Sequence, residues 1–405
     1  MVPRLTPPAA FVVVATTVAT FLAASSAPSP LYPVYEHAFG FSAPVLTVVF
    51  AVYVVALLAA LLVAGRLSDH VGRRPVLAAA LVVELASLLL FLTAQDTPAL
   101  VLARVVQGLA TGTAMGVMGA YLLDLQRYGT QRGALVNSVA PTAGLAVGGI
   151  LAGALAQYAP APLHLVYAVL AVLVAGLLLT VPSLPETAPR RAGALASMRP
   201  VVAVPARARS AFVAGVPVMA STWSLGGLML SVSGSVLAVR LGVTNHAVSG
   251  AVIGAFTGAG ALASFLARDQ SAQRLTRGGL VALVAGLAGF VTALLTGSLP
   301  VLVTAVTVAG AGFGTSFLGT LRTLTALAEP EERSALMSAV FTVSYLAFSV
   351  PALAAGVLVL VVGLDTTALG YAALVGVVAA AALAADLLVG RAGRPGALGW
   401  PGVPR

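Results

Sequence analysis

Gly65-Arg-Leu-Ser-Asp69-His-Val-Gly72-Arg73-Arg74-Pro75 is the first dense polar island in this chain. Three arginines, an aspartate and two glycines stand here between apolar runs long enough to cross a bilayer. The backbone and charges of so short a turn would go unsatisfied in hydrocarbon, so the stretch belongs at a membrane surface. Its arginines assign it to the cytoplasmic one.

The rest of the chain agrees. Only 8% of its 405 residues are charged and 60% are hydrophobic, against about 25% charged in a soluble domain. At about 20 apolar residues per span, the chain holds about twelve helices. Hydropathy places them near 10–28, 43–64, 76–94, 99–123, 134–158, 163–181, 211–238, 246–267, 278–297, 300–321, 335–360 and 367–389. The fold class is therefore all-α integral membrane, and no separate soluble domain fits. Arg4 and the first apolar run have the look of a signal peptide, but eleven spans behind them favour a retained helix.

With the N-terminus inside, the cytoplasmic segments collect 19 of the 21 arginines, among them Arg127, Arg132, Arg190, Arg191, Arg268, Arg274, Arg277, Arg322, Arg333, Arg391, Arg394 and Arg405. Only Arg104 and Arg240 fall on or near the other side. Both termini are thus expected in the cytoplasm. The same topology accounts for the net charge of +9 without a nucleic-acid partner, because the charges are scattered over short loops. There is no lysine and no cysteine, and the four histidines are scattered. These absences remove Schiff-base, P-loop, thiolate, disulfide and metal-cluster chemistry, so no cofactor and no metal is expected. No nucleophile–base constellation marks an enzyme, and no segment is long enough for a receptor's sensing domain.

The longest hydrophilic stretch, Pro182 to Ser210, contains Pro185-Glu-Thr187 and several prolines without apolar periodicity. It reads as a flexible cytoplasmic linker, residues 183–210, between an N-terminal half (1–182) and a C-terminal half (211–405) of six helices each. The halves repeat weakly. At an offset of 201, Arg132, Ala134 and Leu135 match Arg333, Ala335 and Leu336. At an offset of 202, Gly108 and Gly112 match Gly310 and Gly314. At an offset of 200, Asp69 and Arg74 return as Asp269 and Arg274, without the glycines of the first copy.

The pattern G-x-L-x-D-x-x-G-R-R at Gly65, Leu67, Asp69, Gly72, Arg73 and Arg74 resembles the loop 2–3 signature of the major facilitator superfamily of secondary transporters. The resemblance implies twelve helices in two pseudo-symmetric halves around a central site, working by alternating access. It also implies that the cluster latches the cytoplasmic side in the outward-facing state and breaks in the other. Asp69, Arg73 and Arg74 are able to pair with one another, and Asp124 at the end of span four is a candidate partner for Arg73.

Glu84 stands about nine residues into span three, ~14 Å from the cytoplasmic face at 1.5 Å per residue, and is the only carboxylate placed so deep. A charge there is costly and marks function or pairing. Arg104 on span four differs from it in depth by about 5 Å, which two long side chains bridge. Such a pair either loads and releases a proton or pins two helices. Arg104-Val-Val-Gln107-Gly108 resembles the superfamily's R-x-x-Q-G motif, which implies a proton-transfer role for the arginine. Gly144, Gly148 and Gly149 resemble the antiporter signature G-P-x-x-G-G, with Leu145 in the proline's place and Pro141 four residues earlier. Ordinary small-residue helix packing accounts for the same glycines.

Gln107, Asn137, Trp223, Tyr345 and the hydroxyls of Thr16, Thr17 and Thr20 are the candidates for a cavity wall. So few charges suit an apolar or weakly cationic substrate. The resulting expectation is a monomeric proton-coupled exporter of the bacterial inner membrane, closest to the drug:proton antiporters. A proton-linked importer of a small metabolite such as a sugar is the alternative.

Overall fold

The computed structural model describes residues 4–41, 43–126, 132–231, 233–329 and 332–392. Arg127, Arg394 and Arg405 of the orientation argument lie outside them. Every regular element among the described residues is helical. The first ten long helices are Pro7–Ser26, Ala43–Ala64, Arg73–Thr93, Thr97–Leu125, Arg132–Tyr158, Leu165–Thr180, Arg209–Ser231, His246–Leu266, Ala272–Thr296 and Leu299–Ala326, here spans one to ten. Their outward faces carry bare apolar side chains such as Val55, Val172, Leu179 and Leu295, as lipid contact requires and water would not.

A continuous helical stretch, Arg333–Ala392, holds the remaining 60 residues. It breaks at Gly363, whose φ of 82° is open to glycine and closed to most side chains. The two arms double back. Ala335 before the break accepts a hydrogen bond from Ala203 of the linker, and Asp386 after it pairs with Arg277. Both anchors sit at the end of the molecule that bears the Gly65–Pro75 loop, whereas Asp365 beside the break meets Arg240 at the other end. Eleven candidate membrane spans among the described residues thus resolve into twelve crossings, the last two being spans eleven and twelve.

Span one runs further than the expected 10–28. Its α-helix stops at Ser26 because Pro28 and Pro30 supply no N–H. After one 3-10 turn the chain continues as helix Tyr32–Phe39 and ends on Gly40 in the left-handed region. Spans four, eight and nine begin at side-chain caps, Asp96, Asn245 and Ser271, which accept from the first free backbone N–H groups.

The sequence repeat has a physical counterpart. A Cβ at Gly108 or Gly112 would lie 2.3 or 2.2 Å from the carbonyl oxygens of Tyr53 and Leu57 on span two. At the matching Gly310 and Gly314 it would lie 2.0 and 2.3 Å from those of Phe256 and Gly260 on span eight. Span four thus seats on span two as span ten seats on span eight, through glycines 202 residues apart. Asp269 and Arg274 do not repeat the first loop's cluster. Asp269 stands 3.8 Å from Arg268, and Arg274 bonds Gln270.

The stretch expected to be a flexible linker is anchored at several points. Leu184 is fully buried and Ala188 nearly so. Ser183 accepts from Leu5, Arg191 donates its N–H to His70 O, and Arg207 lies between Glu329 and Glu332 at 2.8 and 2.7 Å. Prolines without periodicity describe a chain that makes no long helix; single anchors of this kind leave no periodic trace.

Contacts between early and late spans concentrate at the end remote from the loop. Spans five and eight approach through Gly149, Gly153, Gly250 and Gly254. Spans two and eleven meet where Phe50 stacks on Phe348 at 5.2 Å and Gly356 faces Thr47. Early and late spans are in direct contact there.

Candidate functional site

Span three starts on a turn that only glycine fits. Gly72 has φ 108°, and a Cβ there would stand 2.8 Å from the carboxylate of Glu186. That carboxylate accepts the N–H of Arg73 at 2.8 Å and of Arg74 at 3.1 Å. It caps a helix whose first N–H groups have no partner of their own. Arg73, 8% exposed, points back into the turn. It donates to Asp69 at 2.5 Å, Asp124 at 3.0 Å and Ser68 at 2.7 Å.

The expected partnership of Arg73 with Asp69 and Asp124 is therefore present. Arg74 needs correcting. It reaches neither aspartate but donates to the carbonyl of Pro182 at 2.7 Å, because its side chain turns toward the segment after span six. Glu186 was missed altogether, although Pro-Glu-Thr stood out in the linker. Thr187 adds a bond to Asp124 at 2.7 Å, and the Tyr121 hydroxyl donates to Pro185 O. All these partners lie between Ser68 and Thr187 in the chain, and none lies on spans seven to twelve.

Deeper in, Glu84 and Arg104 are both buried, at 0% and 1% exposure, but they do not pair directly. Gln107 stands between them, one turn along from Arg104. Its amide oxygen accepts from Arg104 at 2.8 Å, and its amide nitrogen donates to Ala24 O at 3.1 Å and to Glu84 Oε1 at 3.5 Å. The break after span one explains the arrangement. Ala24 O would normally accept from residue 28, which is a proline, so the amide of Gln107 fills a vacant place. Arg104 donates to Ser25 O at 3.2 Å and to the Tyr32 hydroxyl, and its guanidinium lies 5.0 Å from the ring centre of Tyr53. Carbonyls at a helix C-terminus and aromatic faces thus take the place of a counter-ion. Glu84 Oε2 and Arg104 Nε have no hydrogen-bond partner among the described residues. The spacing of Glu84 and Arg104 gave their depth; it could not show that Gln107 fills the gap, though a helix-breaking Pro28 opposite R-x-x-Q was a usable signal.

The span-five glycines separate into two packing faces. A Cβ on Gly144 or Gly148 would meet the carbonyls of Ala19 or Ala23 on span one at 2.3 and 2.1 Å, and one on Gly149 would meet Ile253 on span eight at 2.9 Å. Leu145 O, where the signature has proline, accepts from Ser26 Oγ at 2.8 Å.

Among the cavity candidates, Thr17 and Thr20 bond carbonyls of their own helix, and Asn137 donates to Gly119 O, while Thr16 is exposed. Trp223 and Tyr345 come together, with ring centres 4.9 Å apart and edge to face, and Phe317, Phe348 and Phe313 close the cluster around Trp223. The indole N–H of Trp223 is buried without a partner among the described residues. Phe348 belongs both to this cluster and to the far-end contact with Phe50, so the aromatic group abuts the surface where early and late spans meet. Among the described residues no group of three His, Asp or Glu side chains is placed to hold a metal.

The family model described as Major Facilitator Superfamily matches residues 14–352. No curated protein matches the sequence. Solved structures similar in fold include a peptide transporter (POT) in complex with sulfate, with a TM-score of 0.74 and 16% identity over 96% of this chain and 97% of that one. The human organic anion transporter MFSD10 superposes with a TM-score of 0.69 and 18% identity, over 94% of this chain and 100% of its own. The nucleoside transporter NupG gives 0.69 at 14%, over 94% and 99%.

Proposed function

As the chain belongs to the major facilitator superfamily and is a membrane transporter of that type, we propose that it moves a small apolar or weakly cationic molecule outward in exchange for protons. The observation that carries this reading is the Glu84–Gln107–Arg104 line. A carboxylate with one unpartnered oxygen, shielded from water and linked by one amide to a cation, gains or loses a proton at the expense of its neighbours' bonds. The substrate class rests on the aromatic group around Trp223, which offers ring faces and a single free N–H but no formal charge. Organic anions, peptides and nucleosides are what the similar structures' own proteins carry; none of them enters this assignment.

In this reading the halves 1–182 and 211–405 rock about the site, and the loop end faces the cytoplasm of a bacterial inner membrane. On the same reading the contacts at the far end belong to the state that opens to the cytoplasm. The bonds of Arg73 to Asp69 and Asp124 then brace the first half, and it is not their rupture that opens the gate. Asp69 is the member left to grip the second half. It holds Arg73 through one oxygen and keeps about half of its side chain exposed.

Flux in inverted vesicles with an imposed pH gradient, against a broad compound panel, tests coupling and direction together. Accumulation that collapses with the gradient is expected. Transport indifferent to the gradient would overturn the proton role, and accumulation only in right-side-out vesicles would make the protein an importer. Topology is checked separately. A reporter active only in the cytoplasm should work when fused at residue 195 or at the C-terminus and stay silent within 239–245. A silent fusion at 195 would reverse the orientation.

A further inference from the structure

A groove of about 670 Å³ lies outside the bundle, between the start of span three and the end of span six, at the membrane surface on the loop side. Ala78, Leu178, Leu179 and Val181 form its apolar wall, and Leu179 is 80% exposed. Its polar rim carries Arg74 and Arg190. Arg74 spends one nitrogen on Pro182 O, and Arg190 makes no hydrogen bond or ion pair among the described residues. The one carboxylate in the rim, Glu186, is already committed to the backbone N–H groups of Arg73, Arg74 and Ala188. Two guanidinium groups thus stand over an apolar trough that leads from the surface toward the hydrocarbon. Nothing in the proton line or the aromatic cluster uses them.

We propose that this groove binds an anionic phospholipid, its phosphate held by Arg74 and Arg190 and an acyl chain lying along Leu178 and Leu179. Guanidinium groups suit a phosphate because two parallel N–H donors meet two oxygens. Basic recesses between spans on the cytoplasmic side are suited to such headgroups. The apolar wall selects a lipid over a soluble phosphate, because inorganic phosphate leaves Leu178 and Leu179 uncovered. The occupant would also touch the helix start that Glu186 caps, so its presence would stiffen the turn carrying Arg73.

The purified full chain gives two readouts. Native mass spectrometry should show phosphatidylglycerol retained in preference to phosphatidylcholine of the same chains. Arg190→Gln, in an exposed residue without other bonds, should weaken that retention about fivefold, the factor for one arginine near a charged surface. For position, Leu179→Cys provides a unique thiol in a chain with no cysteine. A fluorophore there should be quenched more by brominated phosphatidylglycerol than by brominated phosphatidylcholine, and the preference should fall in the Arg190→Gln background. Equal quenching by the two lipids, or retention unchanged by Arg190→Gln, would overturn the proposal. Displacement of the lipid by millimolar sodium phosphate would overturn it too, by showing an anion site with no lipid preference.

Discussion

Glu84→Gln abolishes gradient-driven accumulation, down to the background of empty vesicles, while substrate binding stays measurable: this is the expected result if the buried carboxylate carries the proton. Glutamine keeps the shape and still accepts from Gln107, so the fold loses little. What disappears is the ability to exchange a proton at Oε2, the atom that has no partner. Arg104→Ala should end accumulation as well, but for a second reason and with a second symptom. It strips the donor from Ser25 O, from the Gln107 amide oxygen and from the Tyr32 hydroxyl, and each buried group so abandoned costs about 1–3 kcal/mol. A lower melting temperature should therefore accompany the loss of transport in Arg104→Ala and not in Glu84→Gln. Gln107→Leu separates the two effects. It keeps both charged groups, removes the link between them and leaves Ala24 O without a donor. Wild-type gradient-driven flux in Glu84→Gln, at matched amounts of folded protein, would take the proton off this residue.

How much of this was legible in the sequence follows from which forces leave a periodic trace. Hydrocarbon demands long apolar runs, and the arginines mark their ends, so the spans stood in plain view. The Gly65–Arg74 pattern announced the turn because Gly72 needs a conformation few other residues adopt, and because Arg73 sits i+4 from Asp69. Glu186 stayed hidden because a carboxylate capping a helix that starts 113 positions earlier in the chain obeys no spacing rule. Tyr32 and Tyr53 were invisible as partners of Arg104 for the same reason. The direct Glu84–Arg104 bridge was an error of a different kind. A count of depth along two helices says nothing of rotation about the helix axis, and Gln107 stands between the two side chains. The glycines were read correctly as sites of close approach. Which helix each approaches could come only from the packing.

The largest effect expected on the conformational balance comes from Gly356. A Cβ there would stand 1.9 Å from the hydroxyl oxygen of Thr47, so Gly356→Leu drives a wedge into the contact that holds the far end shut. Forcing extra atoms into packed structure costs about 1–3 kcal/mol. That cost falls on the far-end-closed state alone, since spans two and eleven separate there in the other. A bias of ~2 kcal/mol shifts the populations about thirtyfold. Asp69→Asn should push the opposite way. The Arg73–Asp124 bond at 3.0 Å survives it, so the brace within the first half persists, and what goes is the charge available to hold the second half when the loop end closes. Charge-assisted bonds are worth about 1.5–3 kcal/mol, a shift of similar size and contrary sign. A single cysteine introduced just inside the loop end reads both variants by its rate of labelling from that side. The rate should drop in Gly356→Leu and rise in Asp69→Asn, and the double variant should return toward the parent, because the two biases oppose each other across one equilibrium. If Gly356→Leu slows labelling while Asp69→Asn leaves it untouched, the far-end contact is a true gate, and Asp69 belongs to the brace.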